Sequence, residues 1–527
     1  MIDLTIETGD KFKKSLLKIQ RWCFICGVST IPVMTGPLKF PIAGNQVAYI
    51  FITIGVLTFF IENYIYPNNL TSAEKHMIRF LKVIFLWALL CSVLGVLFYP
   101  SFANIDLNQM RSFRNLFYHM KLVYPNLSDL SFLKGWMLYR ALRNSIAYAA
   151  SSYLISFWIY HLYRNDWKRG IHDLKKGILA ASLLLIAYSI IEVGFLCGSA
   201  SCKAILTKIN MKIFDVASGQ GWWPPLFWHS LQMRSLFPEP SHLGIFLAMT
   251  IPYHFLIFFT KLNKTSILKL FICFCSLMML FMSKARTGTV VVGLEAILFI
   301  LCICLCPPLF FSDKFKRLTL LLGCSILAFI FSLGLMSSFK SIDSEFHDSH
   351  EIISVQNYVQ NNVTSITGNQ RSNSARFANA LATLKVGMGH PIFGVGINTR
   401  NEYLARQLTN SDKNVEEIKL WLKYMAKQGP MQSGFPDINH FATVFAEQGV
   451  IGVILFMCPS CAVLLKLLLE KKYIKYNIEI ITTSIALIGL NIALLANEDH
   501  FGIFIILGLM MAIIWRNEEV QTDEFKN

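Results

Sequence analysis

The residues best suited to chemistry stand where apolar sequence stops. Phe237, Pro238, Glu239, Pro240, Ser241, His242, Leu243 and Gly244 interrupt a hydrophobic pattern at the lip of a candidate membrane span, where burying a charge costs roughly 2.5–3.5 kcal/mol or more. Prolines on either side hold Glu239 in an extended or turn conformation, and a partly desolvated carboxylate there suits general-base work. The competing role is structural: accepting from the first free amides of the next helix, or pairing with an arginine. His242, a turn further on, and His440 are the alternative proton acceptors. A second group is cationic. Arg286 lies in the short turn Ser283, Lys284, Ala285, Arg286, Thr287, Gly288, and Arg371 and Arg376 precede a stretch with helical spacing. A planar guanidinium binds phosphate oxygens as a bidentate fork and keeps its charge at any accessible pH. For Arg286 the competing role is interface anchoring, which Lys284 beside it could serve equally well. Arg234, at the head of the Glu239 segment, and Asn439, at the head of a later polar run, complete the set.

Such residues need a frame. Of the 527 residues 54% are hydrophobic and 15% charged, against about 25% charged in soluble domains, so the chain reads as a polytopic membrane protein. A helix needs about 20 apolar residues to cross a hydrocarbon core of roughly 30 Å, and open sheet edges do not survive in lipid. The apolar runs are continuous, which excludes a barrel. Twelve spans are expected, near 18–36, 45–66, 78–99, 142–162, 177–197, 240–260, 266–283, 288–308, 318–337, 438–466, 478–495 and 501–516. Lys11, Lys13, Lys14, Lys18 and Arg21 place the amino terminus in the cytoplasm. On the same side fall Arg164, Lys168, Arg169, Lys175 and Lys176; Lys261, Lys264 and Lys269; Lys314, Lys316 and Arg317; and Lys471, Lys472 and Lys475. An even number of spans returns the carboxyl terminus there, beside Arg516, and no cleavable leader is expected. Much of the +16 net charge is therefore topological, and no one-sided basic domain supports nucleic-acid binding.

The thirteen cysteines lie nearly all inside spans, as small packing residues. The two Cys-x-x-Cys pairs, Cys23/Cys26 and Cys458/Cys461, have no companion ligands, and only Cys197 and Cys202 are placed to pair outside. Three outer loops follow from the topology, about 100–141, 198–239 and 338–437. The chain thus divides into nine spans with short loops over 1–337, a large outer loop over 338–437, and three spans with a cytoplasmic tail over 438–527. In the large loop Ala375 to Val386 and Asp412 to Lys427 have helical spacing, and short helices lying over the membrane are expected. The run Asp343, Glu345, His347, Asp348, His350 and Glu351 resembles a set of metal ligands, but reads as a polar linker with no second shell to hold an ion. Neither metal nor cofactor is expected. The aromatic segment Gly221 to Trp228 belongs at headgroup depth, as an anchor or as a wall for a sugar or lipid tail.

Taken in order, four polar segments resemble a known set. Glu239-Pro240-Ser241-x-x-Gly244 opening a span, the turn Ser283 to Gly288, Arg376 followed by His390-Pro391-Ile392-Phe393-Gly394-Val395-Gly396, and Asn439 to Glu447 with Gly449 and Gly452 are similar to motifs of the bacterial O-antigen polymerase and O-antigen ligase superfamily. The resemblance covers roughly residues 230–460. One departure stands out: the family often has His-Asn at the start of the last motif, whereas Ile438 precedes Asn439 here and His440 follows it. The resemblance implies an all-α, GT-C-like glycosyltransferase of the bacterial inner membrane with a periplasmic active site, transferring a glycan from an undecaprenyl-diphosphate carrier without a cofactor. Repeat-unit polymerisation for O-antigen or capsule is the leading expectation. A ligase or protein O-oligosaccharyltransferase using the same donor is the alternative, and a lipid-linked oligosaccharide flippase the non-enzyme one. In this scheme Glu239, His440 and His242 carry catalysis, and Arg286, Arg371, Arg376, Arg234 and Asn439 hold the diphosphate or substrate. The expected partners are the lipid-linked oligosaccharide, membrane lipids and a chain-length regulator.

Overall fold

Every regular element among the described residues is helical, the one arrangement besides a closed barrel that satisfies backbone amides in lipid. The computed structural model describes residues 2–34, 46–67, 70–99, 111–214, 225–228, 231–259, 266–305, 314–340, 371–429, 434–470, 477–498 and 501–515. The helices are α1 (Ile2–Ser29), α2 (Val47–Ile65), α3 (Ser72–Leu97), α4 (Arg111–Val123), α5 (Asp129–Ser151), α6 (Tyr153–Tyr163), α7 (Trp167–Leu196), α8 (Ala200–Ile213), α9 (Pro240–Phe255), α10 (Ser266–Ser283), α11 (Arg286–Leu305), α12 (Lys314–Met336), α13 (Arg371–Gly389), α14 (Arg400–Gln407), α15 (Asn410–Lys413), α16 (Glu416–Gln428), α17 (His440–Leu469), α18 (Ile478–Ala493) and α19 (Gly502–Ile514). Eight helices among the described residues are long and apolar enough to cross a membrane: α2, α3, α7, α9 with its 3-10 extension to Phe259, α10, α11, α12 and α17. The last two expected spans are the shorter apolar helices α18 and α19.

The differences from the sequence reading have local causes. The span expected over 142–162 is broken at Ser152 (φ −114, ψ −104) between α5 and α6, where the Ser152 hydroxyl donates back to the Tyr148 carbonyl and competes with the helix ladder. Helix α7 starts ten residues before its expected span, at Trp167 rather than at 177. Asp166 caps it by accepting from the Arg169 amide, and Asp173, fully buried, pairs with Arg21 at 2.7 Å. Lys168, Arg169, Lys175 and Lys176 therefore ride on the helix rather than in a loop. Cys197 and Cys202 are both free thiols, so the outer disulfide is not formed. The run Asp343 to Glu351, the tryptophans Trp222 and Trp223, the cations Lys261, Lys264, Lys471, Lys472 and Lys475, and Arg516 lie outside the described residues.

Helix α9 is the central post. In its apolar window 94% of residues are buried inside the protein, against 22–50% for the other seven spans, because α10, α11 and α18 all pack against it. Its contact with α11 is backbone on backbone: a Cβ on Gly288 would lie 2.5 Å from the Gly244 Cα, and one on Gly244 would lie 2.6 Å from the Ala285 Cβ. Glycine at both positions allows this approach. The glycines that end the Glu239 and Arg286 motifs are thus the crossing point of the two helices that carry those residues.

The helix expected over 375–386 does not lie flat above the bundle. Helix α13 descends alongside the first turns of α17, with Asn379 donating to the Pro436 carbonyl at 3.0 Å and Gly387 packed against Phe445. The segment 390–396 then turns back at a break in α17, where Gly449 takes φ 69 and ψ −172. Three backbone bonds satisfy the broken ladder, Val395 N–H to Ala446 O, Gly396 N–H to Glu447 O and Val450 N–H to Pro391 O, and Gly394 N–H to His390 O closes the turn within the segment, all 2.8–2.9 Å. Gly449 lies nine residues into α17, about 13 Å by helical rise, and the non-helical segment that meets it there is buried at Val395 and Gly396 but exposed from His390 to Phe393. A Cβ at Gly449 would sit 2.0 Å from the Ile392 carbonyl oxygen, and its φ/ψ region is open essentially to glycine alone, at a cost of about 1–3 kcal/mol for other residues. Gly449→Ala is expected to lower the thermal midpoint of the purified protein in detergent well beyond Gly323→Ala, whose Cβ meets nothing within 4 Å. Equal midpoints would mean the re-entrant hairpin is not seated as described.

Candidate active site

Glu239 is the N-cap of α9 by backbone position (φ −147, ψ 159), yet its side chain makes no capping bond. The carboxylate instead accepts from the Ser241 hydroxyl and lies 3.5 Å from His242 Nε2. The same imidazole nitrogen is 3.6 Å from Glu498, which comes from the turn between α18 and α19. Two carboxylates therefore flank one imidazole, with Glu239 a quarter exposed and Glu498 half exposed.

The loop that delivers Glu239 is rigid. Ser235 sits in the left-handed region (φ 52), and the buried Glu192 carboxylate holds it there by accepting from the Ser235 and Arg234 amides at 2.8 and 3.2 Å. Arg234 itself is 1% exposed. Its guanidinium donates to the carbonyls of Pro225, Leu226 and Pro238 at 2.8–3.2 Å and stacks 4.4 Å over the Phe214 ring. The expected phosphate ligand is thus a brace for the loop that carries Glu239, since a fork filled by carbonyls has no face left for a phosphate.

Arg286 opens α11. Its turn is shaped by Ser283, whose hydroxyl accepts from the Ala285 amide at 3.2 Å, and by Lys284 in the left-handed region (φ 51). Arg286 donates to the Asn373 amide oxygen at 2.8 Å, and Arg376 is close enough for the two positive charges to act on each other. A cationic pair, an amide and the positive end of the α11 dipole meet here, the arrangement that favours a phosphate. Arg371 is the first residue of α13, two positions before Asn373, and its side chain lies outside the described residues.

The third group surrounds the start of α17. Asn439 caps that helix, its side chain accepting from the Ala442 amide at 3.0 Å, so the expected substrate ligand is used by the fold. His440 is 7% exposed, packs on Phe456, and shares Nδ1 with Asp437 at 3.1 Å. Burial pushes the Asp437 carboxyl up, but the hydrogen bond and charge of His440, the Arg400 guanidinium and the Thr443 hydroxyl outweigh it, leaving it below its ordinary value. Arg400 donates to Thr443 at 2.6 Å and lies 3.7 Å from Glu447, which also accepts from the Asn398 amide at 3.0 Å. Asn398 is left-handed too (φ 61), so a buried glutamate fixes a strained loop a second time.

The structure brings these groups to one rim. Gly244 against Gly288 joins the Glu239 and Arg286 helices, and the His440 amide donates to the Leu494 carbonyl at 2.9 Å, at the head of the turn that carries Glu498. Sequence reasoning missed Glu498, Asp437, Arg400, Asn373 and Glu192. Residues 271–457 match a family model described as O-antigen ligase. No curated protein and no solved structure matches the chain.

Proposed function

We propose, from the match of residues 271–457 to a family model described as O-antigen ligase, that this chain is a repeat-unit polymerase that moves a glycan from undecaprenyl diphosphate onto another lipid-linked unit. The observation that supports this reading is one rim holding a cationic pair with its amide, Arg286, Arg376 and Asn373, beside the acid–imidazole group Glu239, His242 and Glu498. Diphosphate is already a competent leaving group. Such an enzyme must neutralise the charge that gathers on it, align the anomeric carbon, and take a proton from the acceptor hydroxyl. In this reading Arg286 and Arg376, with Arg371 at the same helix end, take the diphosphate, and Glu239 takes the proton with His242 beside it to pass it on. The rim faces the periplasm, both termini lie in the cytoplasm, and no step calls for a metal. A chain-length regulator would act on this protein from outside the rim.

The decisive experiment supplies the reconstituted protein with its lipid-linked repeat unit and nothing else. A ladder of longer lipid-linked products is expected. No ladder, with transfer appearing only when a lipid A core or a protein acceptor is added, would make the protein a ligase. Movement of the unit across the bilayer without new glycosidic bonds would make it a flippase.

A further inference from the structure

Helix α13 is apolar on two faces. Ala375, Ala378, Ala382 and Val386 are buried against α17 and the helices of the 400–428 segment. On the other side Phe377, Leu381, Leu384 and Met388 follow at spacings of four, three and four, a single stripe, and they are 72, 40, 39 and 62% exposed. Ile392, 53% exposed, continues the stripe into the re-entrant turn. The stripe descends with α13 from the rim to the level of Gly449, and Phe377 to Met388 spans about 16 Å of helix. Above it stands the cationic group: Arg376 precedes Phe377 directly, Asn373 lies a turn earlier, and Arg286 bonds to Asn373.

We propose that this face of α13 is the seat of the donor's isoprenoid chain, so that the diphosphate held by Arg286 and Arg376 hands its tail straight down the stripe. The inference rests on the polyprenyl-diphosphate reading above and adds where the lipid lies. Charge complementarity selects the occupant: a ligand with a dianionic head and a long, unbranching apolar tail matches a cation pair at the top of an apolar track, whereas a zwitterionic phospholipid offers the pair no net charge. The track also gives a reason for α13 to descend. A helix lying flat would expose the stripe to water or carry it away from the lipid that the arginines hold.

Binding of undecaprenyl diphosphate and of geranyl diphosphate to the full-length protein, in nanodiscs of one fixed phosphatidylcholine composition, tests this without any glycan. The wild type is expected to bind the long-chain ligand at least roughly tenfold more tightly than the short one, since each buried methylene adds to affinity. Phe377→Ser and, independently, Met388→Gln are expected to reduce long-chain affinity by about threefold to tenfold and leave geranyl diphosphate unchanged. Both positions are exposed, so the thermal midpoint should not move. Arg286→Ala should weaken both ligands alike. Unchanged chain-length preference in both stripe variants means ordinary membrane lipid covers this face and overturns the inference, while leaving the cationic site standing. Failure of the wild type to bind either diphosphate overturns the donor reading and the inference with it.

Discussion

Arg286→Ala is expected to reduce kcat for glycan transfer by about 10²–10³, the loss typical of removing one preorganised donor from a developing anion. Arg286 opens α11, and its side chain is oriented by Asn373 at 2.8 Å. The neighbouring Arg376 raises the local positive potential, which costs free energy in the empty site and is relieved when a diphosphate arrives. A residue acting only as an interface anchor would be replaced without loss by lysine. Arg286→Lys is instead expected to recover only part of the activity, because an ammonium is a point charge that cannot grip two phosphate oxygens as a fork. Steady-state rates with lipid-linked repeat unit, read beside an assay for flipping, check both statements. Full activity in Arg286→Lys would return this residue to the role of anchor. Loss of flipping in step with polymer would point to misfolding or transport.

Most of the frame was legible because lipid leaves little choice. An apolar run of twenty residues in a bilayer becomes a helix, and each expected span overlaps a helix among the described residues, although the run over 142–162 is broken at Ser152 and neither it nor 18–36 yields a helix long and apolar enough to cross. What hydropathy does not carry is the course of a helix that is only moderately apolar. Helix α13 falls in the large outer loop, so a helix lying over the membrane is the expectation, yet its polar residues Asn379 and Thr383 are buried and hydrogen-bonded. The descent is decided by the glycines Gly394, Gly396 and Gly449, whose close approaches only the folded chain shows.

The site was legible in the same uneven way. Glu239, His242 and Arg286 stood out because charge beside apolar sequence needs a reason, and all three reach the rim. The same logic applies to Glu498, in a short polar turn between two spans; it lies beyond the motif region, and only folding places it on His242. Arg234 and Asn439 looked alike in sequence to residues that bind substrate. Their partners are backbone groups, which no residue type announces in advance. Asp437 and Thr443 could have been found from the i, i+3, i+6 spacing around His440, but Arg400 comes from 40 residues earlier and meets them only through the re-entrant hairpin.

The choice of base is open to a direct contest between Glu239 and His440. Glu239→Gln is expected to lower kcat by about 10²–10⁴, the usual contribution of a positioned base, with little change in donor KM, because the amide keeps the size of the side chain and its contact with Ser241. His440 is the rival, since Asp437 holds its Nδ1 in the manner of a carboxylate orienting a catalytic imidazole. Its surroundings argue for a structural part: it is 7% exposed, packs against Phe456, and belongs to the network that ties Arg400 and Glu447 to the start of α17. Glu239 is a quarter exposed at the open lip, where an acceptor hydroxyl can reach it. His440→Gln is therefore expected to cut the thermal midpoint more than Glu239→Gln and to cut kcat less. A variant series in which His440→Gln is stable but silent while Glu239→Gln still builds polymer would move the proton to the Asp437–His440 pair. Retention of the Arg286 effect in that case would keep the donor site where it is and change only the acceptor side.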